Sequence, residues 1–179
     1  MYLGDGYISA HARDVWQLRI TLDSEYSDIV AECATAIETV APGRSASVYK
    51  RKLSRCVEVT NYWKHWPCLF PQHGPGRKHT RPIVLEKWQE RIVDDHARPF
   101  LRGLIHSDGT RIIATERKGN YVRRAPRYVF SNHSEDILRL FADACDREGI
   151  HYTRPSWKQI AIFRKAAVAR LDEFIGPKS

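Results

Sequence analysis

Two aspartates in the sequence stand in short, similar settings that could bind a metal ion. Asp5 lies in the stretch Gly4–Gly6, and Asp108 lies near the end of the stretch FLRGLIHSDGT. A carboxylate at the negative end of a helix is disfavoured by about 0.3–1 kcal/mol, and two converging carboxylates repel each other. A divalent cation would offset both costs, since carboxylate oxygens suit Mg²⁺ or Mn²⁺. The chemistry this predicts is metal-assisted hydrolysis of a phosphodiester.

Most of the 21 acidic residues fall on predicted helices or their caps, where a solvated face explains them. Among the others, Asp14 sits in a predicted turn, and Glu58 can offset basic neighbours on its strand. Only Asp5 and Asp108 occupy equivalent places in a repeat. An isolated Asp-Gly pair is ordinarily a turn, so the duplication is what favours a functional role.

The repeat is an Asp-Gly pair followed by a hairpin, a helix and a second hairpin. In the first copy, residues 7 to 22 are predicted as a hairpin, because apolar residues from Trp16 to Leu22 alternate with polar ones. A helix capped by Ser24 or Asp23 follows, and strands are predicted at 45–51 and 56–62. In the second copy, a helix whose apolar pattern runs to Ile105 ends on the acid. The later elements are predicted as strands near 110–117 and 125–131, a helix at 134–148, strands within 150–164 and a helix at 166–175.

Between the copies, residues 63 to 83 are rich in proline and glycine and are predicted to lack regular structure. A short helix within residues 84–96 follows. The predicted organisation is therefore a first repeat at 1–62, a linker with a short helix at 63–95, and a second repeat at 96–179. A duplication of this length implies two similar subdomains related by an approximate two-fold axis.

The charge pattern indicates a polyanionic partner. The chain has 29 Lys and Arg against 21 Asp and Glu, a net charge of +8. Residues 44–55 carry five basic residues and no acid, and residues 111–127 carry six basic residues and one acid. No apolar run approaches the ~20 residues of a membrane span, and the first residues lack the features of a signal peptide. We therefore expect a cytoplasmic protein with no membrane partner and with reduced cysteines.

Two other kinds of site have little support. His65, Cys68, His73 and His79 cluster in the linker, but their spacing matches no common structural zinc site. A loop packed by its aromatic residues, with basic side chains such as Lys78 near the polyanionic partner, explains the cluster better. No glycine-rich phosphate loop is present, so nucleoside triphosphate chemistry is not predicted.

The stretch Leu101–Gly109 resembles the nine-residue motif of the LAGLIDADG homing endonucleases, and Tyr2–Gly6 resembles the tail of a first copy. The order of elements is similar to that family over nearly the whole chain. The resemblance implies an α/β (α+β) fold of two pseudo-two-fold-related αββαββα repeats, whose two antiparallel sheets form a DNA-binding saddle. Because the first motif begins at Met1, its helix is expected to be truncated. His106 departs from the motif, where the family often has an acid or a small residue.

The resemblance also implies roles for individual residues. The last acid of each motif binds the catalytic metal in that family, which corresponds to Asp5 and Asp108. Backbone carbonyls before each acid often help, which would involve Gly4 and Ser107. A basic residue near the end of the fourth strand lies close to the scissile phosphates. Lys64 and Lys165 match that place. The outward strand positions expected to contact DNA are Gln17, Arg19, Ser47, Tyr49, Arg51 and Arg127.

The function these observations predict is a Mg²⁺-dependent (or Mn²⁺-dependent), sequence-specific endonuclease of homing type. It would act on double-stranded DNA as a monomer with an internal pseudo-two-fold axis, in a cytoplasmic, nucleoid-associated setting. Two alternatives stay open. A DNA-binding transcriptional regulator would keep the saddle without efficient cleavage, and an RNA-binding maturase-like module would use the same sheets without needing the acids.

Overall fold

Two four-stranded antiparallel sheets, one in each half of the chain, form the framework of the fold. A computed structural model describes residues 1–118 and 121–178. Unit 1 comprises Met1–Lys78 together with Pro177–Ser179, and unit 2 comprises His79–Gly176. In the described part of the chain, no helix is long and apolar enough to cross a membrane.

The sheet of unit 1 consists of two hairpins, as the alternating sequence pattern predicts. The strands are β1 (Gly6–Ala10), β2 (Trp16–Asp23), β3 (Ser47–Lys50) and β4 (Cys56–Tyr62), in the spatial order β1-β2-β4-β3. On β2, Leu18, Ile20 and Leu22 are buried while the residues between them are half-exposed. One face of this sheet is therefore core, and the other is a polar open face.

Two helices of unit 1 precede and follow the first hairpin: α1 (Tyr2–Asp5) and α2 (Ser27–Val40). The apolar spacing of α2 is confirmed, because Ile29, Cys33 and Ile37 are buried. The predicted cap is wrong, since Tyr26 is the N-cap and no side chain caps the helix. The Asp23 carboxylate instead accepts a hydrogen bond from the Glu25 amide at 3.0 Å, which closes a turn before the helix begins.

The linker contains more regular structure than its composition predicts. A short helix, α3 (Trp66–Leu69), and a 3₁₀ turn at Lys78–Thr80 lie within it. The indole of Trp66 is buried and donates to the backbone oxygen of Asn61 at 3.2 Å. The Phe70 and Tyr2 rings lie 4.2 Å apart. Burial of the Trp66 ring and the contact of Phe70 with Tyr2 of α1 offset the effect of the prolines, which is a tertiary gain that local propensity does not reveal.

Unit 2 repeats the same order of elements after a leading helix. That helix is α4 (Lys87–Asp95), which begins with a capping box between Glu86 and Gln89. The elements that follow are α5 (Ala97–Asp108), β5 (Gly109–Lys118), β6 (Tyr121–Ser131), α6 (Glu135–Arg147), β7 (Thr153–Ser156), β8 (Gln159–Ile162) and α7 (Lys165–Asp172). The strand order is β5-β6-β8-β7, which has the same topology as unit 1.

The prediction of a helix that ends on Asp108 is confirmed, although its apolar pattern stops at Ile105. α5 continues past Ile105 to Asp108, because the Gly109 amide donates to the Ile105 carbonyl and completes the last turn. Leu101, Leu104 and Ile105 are buried on this helix, and so is His106. The apolar spacing therefore predicts the helix but not its last turn, which consists of His106, Ser107 and Asp108.

The core of unit 2 lies between its sheet and its helices. Phe130 of β6 stacks on Phe141 of α6, with ring centroids 4.3 Å apart. Ser134 caps α6 by accepting a hydrogen bond from the Ile137 amide. Glu148, just beyond α6, contacts Arg98 of α5 at 2.8 Å and Arg170 of α7 at 3.2 Å. One carboxylate therefore joins the ends of three helices.

A second polar cluster joins the sheet of unit 2 to its last helix. Arg111 of β5 donates two hydrogen bonds to the carboxylate of Asp172, at 2.8 and 2.9 Å, and the hydroxyl of Tyr128 donates to the same group at 2.6 Å. These donors stabilise the charged form and lower the pKa of Asp172. Burial, with the hydrogen bond to Asp172, raises the pKa of Tyr128.

The lowered pKa of Asp172 predicts acid-dependent stability. A carboxylate whose pKa is lower in the folded state stabilises the fold fully at pH values above its unfolded pKa, which is near 3.9. That contribution is lost as the pH falls through the pKa of the folded state. We expect Asp172→Asn to lower the free energy of unfolding by about 0.5–1.5 kcal/mol at pH 7 and to flatten its pH dependence between about pH 2 and 5. Urea denaturation at a series of pH values measures both.

The neighbouring acid provides the control for this substitution. Glu173 is exposed and lies 3.7 Å from Arg170. We expect Glu173→Gln to change the free energy of unfolding by less than about 0.5 kcal/mol. An equal effect of the two substitutions would contradict the role given to the Asp172 cluster.

Candidate functional site

The two aspartates occupy the same structural place in their units. α1 ends at Asp5 and α5 ends at Asp108, and in each case a glycine then opens the first strand. Gly6 has φ −87° and ψ 149°, and Gly109 has φ −103° and ψ 165°. The chain therefore leaves both helices in an extended conformation, without the positive φ of a common Asp-Gly turn. The repeat seen in the sequence is a repeat of local geometry.

Close packing explains why a glycine follows each acid. A Cβ built on Gly6 would lie 2.7 Å from the Cα of Tyr2, and one on Gly109 would lie 2.7 Å from the Cα of Ile105. The first strand thus starts directly against the last turn of its helix, and any side chain at this point would collide with backbone. This contact holds the preceding carboxylate at the junction of helix and sheet.

The carboxylate of Asp108 has a defined hydrogen-bond partner. The side-chain amide of Asn132 donates to Oδ2 of Asp108 at 2.8 Å. Asn132 is itself fixed, because its side-chain oxygen accepts from the Ser134 amide at 2.8 Å and its backbone amide donates to the Lys158 carbonyl at 3.0 Å. A side chain anchored in this way can orient a metal-binding carboxylate. The sequence repeat does not predict this contact, since the equivalent register position in unit 1 is Leu22.

A lysine lies beside the first motif. Nζ of Lys78 donates to the carbonyl oxygen of Gly4 at 2.7 Å and lies 5.2 Å from the centre of the Tyr2 ring. A cation at the end of a helix that carries an acid is electrostatically favourable. Sequence reasoning placed Lys78 only among the basic linker side chains near DNA backbone and did not predict its contact with the first motif.

The lysines that the resemblance singled out lie just after the fourth strand of each unit. Lys64 is exposed in the turn that follows β4, and Lys165 is exposed at the start of α7. Both follow the fourth strand of their sheets, as expected for the matched position. Their proximity to a scissile phosphate stays a prediction.

The chemistry of the donor atoms fits a hard divalent cation. Each motif offers an aspartate carboxylate and the carbonyl that precedes it, from Gly4 or Ser107, and oxygen ligands of this kind suit Mg²⁺ or Mn²⁺. Among residues 1–118 and 121–178, no three His, Cys, Asp or Glu side chains form a group that could hold a metal. A cation bound by one of these motifs would therefore take further oxygens from water or a substrate phosphate.

The two buried cysteines do not provide an alternative catalytic group. Cys33 of α2 and Cys145 of α6 are buried. Burial raises the pKa of Cys33 to about 11, and it also raises the pKa of Cys145. Since the thiolate is the nucleophile, both are inert near neutral pH.

The residues of unit 1 that were expected to contact DNA share the open face of its sheet. Gln17 pairs with Tyr62, and Arg19 pairs with Thr60, which in turn pairs with Ser47. Cross-strand partners lie on the same face, and this face is opposite to the buried one. Tyr49 pairs with Glu58 on the same face. The four predicted contact residues Gln17, Arg19, Ser47 and Tyr49 therefore form one surface.

Arg51 and Arg127 have different settings. Arg51 lies just beyond β3, in the connection to β4, and its side chain is half-exposed. Arg127 lies on β6 opposite Ile112, one residue before the buried Tyr128. The alternation of the strand places Arg127 on the face of its sheet that does not pack on the helices.

Comparisons with known proteins identify the fold but not a sequence relative. No protein-family model matches the chain, and no curated protein matches it in sequence. Solved structures match nearly its whole length. They include the I-SmaMI LAGLIDADG homing endonuclease bound to cleaved DNA, at a TM-score of 0.60 and 8% identity, covering 98% of this chain and 80% of that one.

Two other endonuclease structures match equally well. I-AabMI, a LAGLIDADG meganuclease bound to uncleaved DNA, matches at a TM-score of 0.60 and 9% identity, covering 97% of this chain and 79% of that one. Variants of the homing endonuclease I-DmoI match at a TM-score of 0.61 and 14% identity, covering 97% of this chain and 90% of that one. The chain therefore has the LAGLIDADG homing endonuclease fold. This is an α+β fold of two four-stranded antiparallel sheets in repeated units, as predicted.

The packing at Gly109 predicts that a side chain added at this position lowers the stability of the fold. We expect Gly109→Ala to lower the free energy of unfolding by about 1–3 kcal/mol, because the new methyl group must displace the last turn of α5. Chemical denaturation measures the effect. Thr110→Ser, at the next and exposed residue, should change stability by less than about 0.5 kcal/mol. A Gly109→Ala protein as stable as the parent would contradict the close approach.

Proposed function

We propose that this chain is a divalent-metal-dependent endonuclease that binds duplex DNA in a sequence-specific manner. The observation that carries the proposal is the repeated helix exit, which ends in Asp5 in one unit and Asp108 in the other. Each exit leads into a sheet of the LAGLIDADG endonuclease fold. In unit 1, the sheet has a polar open face that suits contacts to phosphates and base edges.

In this proposal, Asp108 and the Ser107 carbonyl bind a cation in unit 2, and Asp5 binds one in unit 1, where the Gly4 carbonyl already accepts from Lys78. A cation bound there supplies Lewis acidity for hydrolysis of a phosphodiester and lowers the pKa of bound water. The contact from Asn132 to Oδ2 fixes the orientation of the Asp108 carboxylate for this role. Convergence of Asp5 and Asp108 on one metal site stays a prediction.

Lys78 has a role in the same proposal. Its ammonium group contacts the carbonyl that precedes Asp5. A phosphate drawn to a cation at Asp5 would therefore meet a second positive charge. That charge would stabilise the negative charge that develops on the phosphate oxygens in the transition state. Lys64 is the competing candidate from the sequence resemblance.

A DNA-binding regulator is the second candidate. The open face of the unit 1 sheet supports DNA binding without any metal. This candidate keeps the proposed DNA surface and differs only in the absence of efficient cleavage. Folded RNA as the preferred ligand would instead favour the maturase-like module.

Replacing the motif acids tests the proposed chemistry. Duplexes that bind the chain are first selected from a randomised library and then incubated with Mg²⁺ or Mn²⁺. We expect the parent to cut them and chelation of the metal to prevent cutting. Asp108→Asn or Asp5→Asn should lower the cleavage rate by about 100-fold or more while binding changes little, because each removes a metal ligand.

The control for these variants is Asp14→Asn, which removes an acid from an exposed hairpin turn of unit 1. It should leave the cleavage rate unchanged. Binding without cleavage by the parent, under either metal, would support the regulator instead. A parent that binds no duplex DNA would contradict both candidates.

The assignment of the phosphate-stabilising cation to Lys78 and its assignment to Lys64 predict opposite results. We expect Lys78→Met to lower the cleavage rate by about 100-fold and Lys78→Arg to restore part of it, because the positive charge returns. Lys64→Met should have little effect. Single-turnover cleavage with protein in excess measures the rate apart from binding. The reverse pattern would assign the role to Lys64, and circular dichroism of each variant checks that the fold is kept.

A further inference from the structure

An acidic residue lies within the surface that we propose for DNA. Glu58 is on β4, paired with Thr21 of β2 on one side and with Tyr49 of β3 on the other. Its side chain is only 13% exposed. A carboxylate at this place repels DNA phosphates and so weakens binding. Its position needs an explanation other than phosphate contact.

Two arginines share the carboxylate of Glu58. Nε of Arg51 donates to Oε1 at 2.9 Å, and Nη2 of the same guanidinium lies 2.5 Å from that oxygen. Nε of Arg19 lies 3.7 Å from the same atom, and its guanidinium also lies over the Tyr7 ring at 5.6 Å. Both arginines are positions that the sequence resemblance predicts to contact DNA.

The contact with Glu58 uses one edge of the Arg51 guanidinium. An arginine has five N–H donors in a rigid plane. With the edge formed by Nε and Nη2 held by Glu58, the Nη1 donors and the remaining Nη2 donor stay available at the outer end of the plane. Two such parallel donors match the O6 and N7 acceptors of guanine in the major groove.

Holding Arg51 before DNA arrives also has an energetic consequence. Arg51 lies outside the regular strands, in the 51–55 connection, and its side chain is 50% exposed. A long side chain at such a place loses conformational entropy when it is ordered, and this opposes binding. Glu58 orders it in the free protein. The Glu58 carboxylate therefore reduces the conformational entropy that Arg51 has left to lose when it contacts DNA.

We propose that Glu58 is a positioning residue for base recognition, which holds Arg51 so that its outer edge reads a guanine in duplex DNA. This inference rests on the proposed DNA-binding function. Direct readout of cytosine by Glu58 itself is a poorer explanation, because its side chain is nearly buried and already accepts from a guanidinium.

Selection from a randomised duplex library tests this role, because the selected sequences themselves define the target. We expect one guanine preference to be lost in Arg51→Lys, which keeps the charge but not the planar fork. Glu58→Gln should weaken the same preference by about tenfold. On a duplex that lacks the preferred site, the Glu58→Gln protein should bind more tightly than the parent. The slope of log affinity against log salt concentration should steepen by up to about one unit.

Glu58→Asp separates position from charge. It keeps the negative charge but withdraws the carboxylate by one methylene, so the guanine preference should weaken with no change in the salt slope. The double variant with Glu58→Gln and Arg51→Lys should lose no more preference than Arg51→Lys alone, because both changes act on one contact.

The matched control is Glu25→Gln. Glu25 forms an exposed ion pair with Arg55 in the same unit, so this substitution changes the net charge equally. It should alter the salt slope and leave every base preference intact. If Glu58→Gln or Glu58→Asp behaves like Glu25→Gln in the selection, the positioning role is wrong while DNA binding stands. If the parent protein binds no duplex, the proposed function fails first.

Discussion

The contact between a helix end and the strand that follows it determines where the candidate catalytic groups lie. In each unit, a glycine brings the first strand within van der Waals contact of the preceding helical turn, at Tyr2 in one case and Ile105 in the other. The acid before that glycine cannot move without separating helix from sheet. A buried helix and a half-exposed sheet thus hold a carboxylate at their junction, which is the rigid support that a functional group requires.

Charged groups have different partners on the two sides of the sheets. On the helix side of unit 2, arginines pair with acids that join elements, as in the contacts of Glu148 with Arg98 and Arg170 and of Asp172 with Arg111. These contacts fix the packing of helices against the sheet. On the open face of unit 1, two arginines share Glu58. The carboxylate there holds two arginines on a partly exposed surface, as the proposed contact with DNA requires.

Much of the fold could be predicted from local pattern. Alternation on β2 and helical spacing on α2 and α5 correctly indicated their type, and the repeated Asp-Gly pairs indicated the duplication. The errors fall where tertiary contacts override local signals. The Pro-containing segment 66–69 forms a helix because the ring of Trp66 is buried beneath it.

The sequence by itself determined the periodicities, the sorting of charge and the positions of Asp5 and Asp108, because each of these depends on neighbours a few residues apart. Only the tertiary structure decided which side chains from distant parts of the chain come into contact. Lys78 reaches the Gly4 carbonyl, Asn132 reaches Asp108, and Glu58 reaches Arg19. These partners are distant along the chain, and strand register together with loop path sets their distances. Hydrogen bonds and ion pairs depend on a few tenths of an ångström, which no local pattern encodes.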